Sequence, residues 1–322
     1  MRAKQKSRIN TAFLGCDWRQ KMPQRLSTFL KKTYGEKVYR LSLTSGCSCP
    51  NRDGSIKRAD GTVISGGCTF CSEGGSGEFA AKIAPVSEQI EEAKALIRKK
   101  TDAKQFIAYF QSYTNTYGNV NRLREIYTEA ISRDDIVALS IGTRPDCLGD
   151  DVIEMLSDLR KIKPVWIELG LQTINEKTAE AFNRGYSLDV FDEAYKRLKA
   201  IDVSVIVHVI FGLPGESSED MLKTIEYLAN LSPALDGIKI QNLQILKNTQ
   251  MYRDYLEKPF HIFELKEYTE LVKKALMILP EDTVIHRMTG DGPRKQLVAP
   301  LWSLDKKRVL NYMNKELAGL LE

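Results

Sequence analysis

From residue 37 to residue 290, short apolar runs alternate with amphipathic segments of helical period, and that rhythm admits few architectures. Strands are expected at 37–43 (KVYRLSL), 106–112, 135–146 running into a loop, 164–173, 203–216 including a turn, 237–246 and 283–290. Helices are expected at 86–100, 120–132, 151–162, 175–182, 188–201, 217–231 and 263–279. Runs such as FIAYF and VSVIVHVIF are apolar on both faces, as strands of a parallel sheet covered by helices must be. Six or seven such units in 322 residues predict an α/β fold, a full or partial barrel rather than an open doubly wound sheet. The expected organisation is a basic extension over 1–36, a barrel over 37–290, and a C-terminal extension over 291–322 that ends in the amphipathic helix WSLDKKRVLNYMNKEL.

The loop after the first strand is the next constraint. GCSCPNRDG and GGCTFC place Cys47, Cys49, Cys68 and Cys71 within twenty-five residues and leave Cys16 and Cys147 elsewhere. Residues 1–15 carry Arg2, Lys4, Lys6 and Arg8 without an apolar core of signal-peptide length, and no later stretch is apolar enough to span a membrane, so the expected compartment is the cytoplasm. Clustered thiols in a reducing compartment are metal ligands more often than disulfides. On spacing, both a four-cysteine zinc site and an iron–sulfur cluster fit. Polar and glycine residues gather at the predicted C-terminal ends of the strands: Gln111 and Ser112, Gly142 to Asp146, Glu168 to Gln172, Gly212 to Glu216, Lys239 and Gln241, and His286 to Asp291. A zinc ribbon needs none of these, whereas a catalytic cluster at a barrel mouth would face all of them. The stretch EGGSGEF completes no phosphate-loop fingerprint and reads as a continuation of the cysteine loop.

The formal net charge of +5 is unevenly placed. Eleven Lys or Arg stand against Asp17 and Glu36 in residues 1–40, a balance of +9 that leaves −4 for the rest. Phe13, Trp18, Phe29, Tyr34 and Tyr39 interleave with those cations, as phosphate contacts and base stacking would require. A solvated amphipathic helix over LSTFLKKTYG, closed by Gly35, accounts for the same residues equally well.

CPNRDG, GGCTFC, YFQSYTNTY, IGTRPDC, WIELGLQT, HVIFGLPGE, KIQNLQILKNT and VIHRMTGDGP together resemble radical S-adenosylmethionine (SAM) enzymes, in particular the YtqA/YhcC subgroup related to elongator-type radical SAM proteins. The resemblance runs through most of the chain. It implies a partial (β/α)6 TIM-type barrel with N- and C-terminal helical extensions, a [4Fe–4S] cluster on Cys49, Cys68 and Cys71, and S-adenosylmethionine at the open iron. Cys47 is then a packed or loop thiol. By the same similarity Gln111, Ser112 and Thr114 fall where the SAM amino group binds. Glu168 and Gln172 suit the ribose hydroxyls or the methionyl carboxylate, and the turn at Gly212, Pro214 and Gly215 suits the adenine. His286, beside Arg287 and Asp291, is the substrate-side candidate, while His208, in an apolar strand, reads as a satisfied core histidine. Arg144 or Arg287 would clamp a substrate carboxylate, although Arg144 can equally pair with Asp146 or Glu168.

The subgroup further implies action on tRNA, converting the carboxymethylaminomethyl group of a wobble uridine to aminomethyl, with a flavodoxin- or ferredoxin-type one-electron donor and no membrane partner. Hydrogen removal from the methylene between amine and carboxylate, loss of an electron and hydrolysis would release glyoxylate. Arg287, Arg294, Lys295, Lys306, Lys307 and Arg308, with the N-terminal arm, would track RNA phosphates, and Trp18 or Trp302 would stack on bases. A small metabolite or a protein substrate, or a non-catalytic zinc-stabilised nucleic-acid-binding module, are the competing expectations.

Overall fold

The computed structural model of the chain describes residues 22–57, 61–75 and 80–321. The arm before Met22, with Phe13, Cys16 and Trp18, lies outside the described residues, as do residues 76–79 of the EGGSGEF stretch. Among the described residues, eight parallel strands form one sheet: β1 Gln24–Arg25, β2 Tyr39–Leu43, β3 Phe106–Phe110, β4 Ile136–Thr143, β5 Val165–Gln172, β6 Ser204–Phe211, β7 Gly237–Asn242 and β8 Val284–Arg287. Their order is β1-β8-β7-β6-β5-β4-β3-β2. The sheet curls so far that an Arg40 guanidinium nitrogen on edge strand β2 lies 3.0 Å from His286 Nδ1 on β8. It is therefore a partial barrel, with six consecutive βα units from β2 to β7 and two further short strands at the other edge.

The helices that follow these strands are α1 Leu26–Tyr34, α2 Val86–Arg98, α3 Val120–Ile131, α4 Asp150–Ile162, α5 Leu188–Ala200, α6 Ser218–Ala229, α7 Leu265–Ile278 and α8 Lys306–Glu316. Strand alternation sends Leu41, Phe110, Ile141, Leu169, Val207 and Ile240 outward, where they share one core with Ile90, Leu123, Met155, Leu198, Ile225 and Val272 of the helices. The first turn of α6 is fixed by a reciprocal capping box between Ser217 and Asp220. The single strand expected over 237–246 is divided: after Asn242 the chain leaves the barrel, and Ile245–Leu246 pairs antiparallel with Leu297–Ala299.

The N-terminal helix forms as expected, with Gly35 at φ 76° donating its N–H to Lys31 O at 3.0 Å. It is not simply solvated. Leu26, Phe29 and Leu30 pack against Ile107, Ala138, Trp166 and Ile206 and close the bottom of the barrel. From Gln24 onward the expected basic extension is thus built into the barrel through β1 and α1.

Candidate functional site

Above that floor the inward-facing residues form two polar layers. Arg40, Tyr109, Ser140, Glu168, His208 and Lys239 occupy the middle, and Gln111, Gln172 and Gln241 stand at the strand ends above them, as the two-residue strand period requires. Glu168 and Lys239 form an ion pair, both almost fully buried, with Ser140 Oγ donating to Glu168 Oε1 at 3.3 Å and Lys239 Nζ 3.1 Å from the Tyr109 hydroxyl. Burial alone would raise the Glu168 carboxyl, but Lys239 and Arg40 hold it well below the usual carboxylate range. Burial pulls Lys239 down, Arg40 and Arg287 add to the effect, and Glu168 opposes it.

The cysteine loop roofs a cavity of about 190 Å³ over these layers. Cys49 is the N-cap of a single helical turn, Pro50–Asp53, and its carbonyl accepts from the Arg52 N–H at 2.8 Å. Cys68 and Cys71 sit on a tight turn, with Cys71 N–H donating to Cys68 O at 2.9 Å. Thr69, between them, is pinned on both sides: its N–H donates to Phe182 O at 3.0 Å and its carbonyl accepts from Met251 N–H at 2.8 Å. Asn51, fully buried, braces the loop from below, its Nδ2 donating to Asn183 O at 2.6 Å, Arg184 O at 3.1 Å and Cys68 Sγ at 3.4 Å.

Cys49, Cys68 and Cys71 line this one cavity. The bond from Cys71 holds the Cys68 thiol below its ordinary pKa, Arg144 and Asn51 helping, and the same bond and burial push Cys71 up. Among the described residues no three His, Cys, Asp or Glu gather closely enough to ligate a single metal ion. Three thiols on one cavity are the donor set that would hold a four-iron cluster with one iron left open. The fourth thiol does not join them. Cys47 is buried in the outer core, its sulfur 3.2 Å from where a Cβ on Gly118 would stand, so the four-cysteine zinc expectation fails on packing.

Of the residues singled out from the sequence, Gln111, Thr114, Arg144, Glu168, Gln172 and Arg287 also line the cavity. Ser112 is buried outside the set that lines it. Gly212 and Gly215, at φ 95° and 88°, make the turn with Pro214 that lets Thr173 Oγ1 reach Glu216 Oε1 at 2.5 Å, so the turn ties β5 to α6 without lining the cavity. His286 is a further departure. Strand β8 is short and sets it low in the barrel, edge-on to Trp166 at 5.5 Å, where it lines neither lobe of the cleft but a further cavity that also touches Arg287. Burial, with Arg40 beside it, depresses its pKa far below the ordinary value.

Arg144 is occupied by Asp146 through two bonds of 2.9 and 2.7 Å and by Arg184 O at 2.8 Å, so it is a strand-end ion pair, and Glu168 is paired with Lys239 instead. Trp302 is no stacking platform, because its indole N–H donates to Phe263 O at 2.8 Å and its ring packs on Tyr268 at 5.7 Å. Arg287 keeps a partly exposed guanidinium, 2.9 Å from Asp291. Sequence reasoning missed Arg40, Tyr109 and the bracing contacts of Asn51 within CPNRDG, and treated His208 as a satisfied core residue. The inward register with Glu168 and Lys239 is the signal that would have found the first two; His208 in fact lines the cavity with an unpaired Nε2.

A second cavity of about 120 Å³ opens beside the first. The two share Phe70, Gln111, His208, Ile210, Gln241 and Arg287, and the second adds Asn242, Gln244 and Asp291. The site is thus one cleft with a thiol-lined lobe and a polar lobe.

Comparison with known proteins agrees with this geometry. The model of the radical SAM superfamily matches residues 65–228 and that of the Radical_SAM C-terminal domain matches residues 235–318. The chain is 40% identical to the uncharacterized protein YtqA of Bacillus subtilis, over 91% of this chain and 88% of that protein. It is 36% identical to the protein YhcC of Escherichia coli, over 88% of each. A tRNA uridine(34) acetyltransferase of Methanocaldococcus jannaschii is 28% identical over 50% of this chain and 30% of its own length. Among solved structures, an archaeal Methanocaldococcus infernus Elp3 lacking its N-terminus shares the fold, with a TM-score of 0.61 at 20% identity over 72% of this chain and 59% of that one. Together the family models, the full-length relatives and the thiol-lined barrel mouth identify the chain as belonging to the radical SAM superfamily, beside YtqA and YhcC.

Proposed function

We propose that this protein acts on tRNA, converting the carboxymethylaminomethyl group of a wobble uridine to aminomethyl. The superfamily uses a [4Fe–4S] cluster and SAM. Bound here, they would supply the one-electron chemistry that removes a hydrogen atom from a substrate carbon. Cys49, Cys68 and Cys71 would hold the cluster, and Gln111, Thr114 and Gln172 would orient SAM above the buried Glu168–Lys239 pair. Phe70 and Tyr113, which wall the cavity, would keep water from the reacting carbon.

The observation that carries the reading is the place of Arg287. Its guanidinium, paired with Asp291 at 2.9 Å but partly exposed, stands at the junction of the thiol-lined lobe and the polar lobe, where it would exchange or share that partner with the carboxylate of the substrate side chain. The methylene to be attacked would then lie between that carboxylate and the amine, facing the cluster lobe. The relative named as a tRNA uridine(34) acetyltransferase supports the choice of tRNA. A flavodoxin- or ferredoxin-type carrier is the proposed electron donor.

The test is anaerobic reconstitution with iron and sulfide, then SAM and dithionite with undermodified tRNA. Deoxyadenosine is followed by chromatography and the wobble nucleoside by mass spectrometry. Cysteine-dependent deoxyadenosine, an aminomethyl nucleoside and released glyoxylate are expected. Glycine as the fragment would reject the oxidative route, and deoxyadenosine with an unchanged nucleoside would reject tRNA.

A further inference from the structure

His208 carries a buried Nε2 that has no hydrogen-bond partner. It lies on β6 between the inward-facing Ile206 and Ile210, and its ring lines both lobes of the cleft. Burial first, then the nearby charges of Lys239 and Arg287, lower its pKa to about 4, so at pH 7 the ring is neutral, with one N–H and one lone pair. Buried side-chain nitrogens in folded proteins are nearly always paired, so an unpaired one on a ring that lines a cavity points to a ligand; Nε2 itself has almost no accessible surface, and a ligand atom would meet it by a small turn of the ring into the cleft.

The neighbours narrow the ligand. Phe70, half-buried, and Ile210 present apolar surfaces at the junction of the two lobes. The amide of Gln241 adds one donor and one acceptor beside the imidazole. Arg287 is the cation at the same junction. Apolar side chains for a flat surface, neutral hydrogen-bonding groups for an edge and, at the junction, the Arg287 guanidinium, whose partner there is Asp291 at 2.9 Å, describe a flat, uncharged heterocycle whose anionic substituent would share or displace that carboxylate. A cationic ring would be disfavoured beside Lys239 and Arg287.

We propose that His208 Nε2, with Gln241 and Phe70, recognises the planar uncharged ring of the substrate, while Arg287 takes its carboxylate. The ring is a pyrimidine on the tRNA reading given above, on which this assignment rests. His208 is then a specificity-determining residue.

The experiment uses the reconstituted holoenzyme with SAM and the free nucleoside 5-carboxymethylaminomethyluridine as probe, with binding measured by calorimetry. His208→Phe keeps a flat ring and removes both nitrogens, whereas His208→Gln keeps a donor and an acceptor. The expected result is probe binding about tenfold weaker in H208F, less weakened in H208Q, and a larger effect on binding than on deoxyadenosine made without substrate. Equal matched thermal melts of the two variants confirm that folding is not the cause. Probe bound equally by wild type and H208F overturns the proposal. So does a loss of substrate-free deoxyadenosine as large as the loss of binding, which would put the imidazole on the cofactor. A wild-type protein that leaves tRNA unchanged yet binds the nucleoside through His208 rejects the tRNA reading and upholds the recognition; a wild type that does not bind the nucleoside overturns the recognition itself.

Discussion

Glu168 and Lys239 lie 71 positions apart in sequence and meet inside the barrel with 6% and 7% of their side chains exposed. Two opposite charges withdrawn from water are costly apart and tolerable together. Lys239→Met leaves the carboxylate buried without its cation, and urea unfolding should show a loss of about 3–5 kcal/mol. Adding Glu168→Leu to it should recover much of that loss, and no recovery would mean that the pair is not a unit. The pH dependence has a fixed sign. Because the folded protein holds Glu168 below its unfolded value, the contribution is present above roughly pH 4.3 and is lost as pH falls. Glu168→Gln should therefore flatten the acid limb of the stability curve.

Asn51 offers a second case. Gly185, at φ 82°, leaves room for it, and a Cβ there would stand 2.6 Å from Asn51 Oδ1. Gly185→Ala should displace the amide from Cys68 and lower the iron retained per chain after reconstitution; wild-type iron content would show that the brace is dispensable. The CPNRDG motif made Asn51 visible, but its partners Asn183 and Arg184 are more than 130 residues away, and no local pattern announces them.

At the scale of elements, α1 carries the clearest consequence. Leu30 is 5% exposed and seals the bottom of the barrel with Phe29, whose ring lies 6.2 Å from that of Trp166. Leu30→Ala should cost about 2–5 kcal/mol in urea unfolding, because the rigid strand ends above it cannot collapse into the space. A change within experimental error would mean that the helix only rests against the barrel. The long strands and their helices were legible from period and apolar runs, since β3 to β7 are covered on the outer face and filled on the inner one. Edge strand β1 was not, because two residues have no period, and the break after Asn242 was hidden by the apolar run continuing into Ile245 and Leu246. The three candidate ligand cysteines were singled out by the resemblance carried by CPNRDG and GGCTFC, because spacing alone fitted zinc as well. The floor of the barrel was not legible, because an amphipathic helix in sequence does not say what its apolar face will meet.

For the whole molecule, charge distribution is the property that bears on tRNA. Arg2, Lys4, Lys6, Arg8, Arg19 and Lys21 face only Asp17 within the first twenty-one residues, so this segment holds as much net charge as the entire chain. Among the described residues Lys306 is paired with Asp291, as is Arg287, so part of the expected C-terminal track is already neutralised. If tRNA binds through phosphates, the logarithm of its affinity should fall linearly with the logarithm of salt concentration, by about 0.7 to 0.9 per cation engaged. A chain beginning at Met22 retains β1, α1 and the barrel, and should show a shallower salt slope together with weaker tRNA binding, measured by filter retention across a salt series. Deoxyadenosine formed with SAM and dithionite alone reports on the cluster and not on RNA, and it separates loss of the arm from loss of the fold. An unchanged slope would mean that the arm's charge does not contact RNA and that the phosphate track, if there is one, lies on the barrel itself.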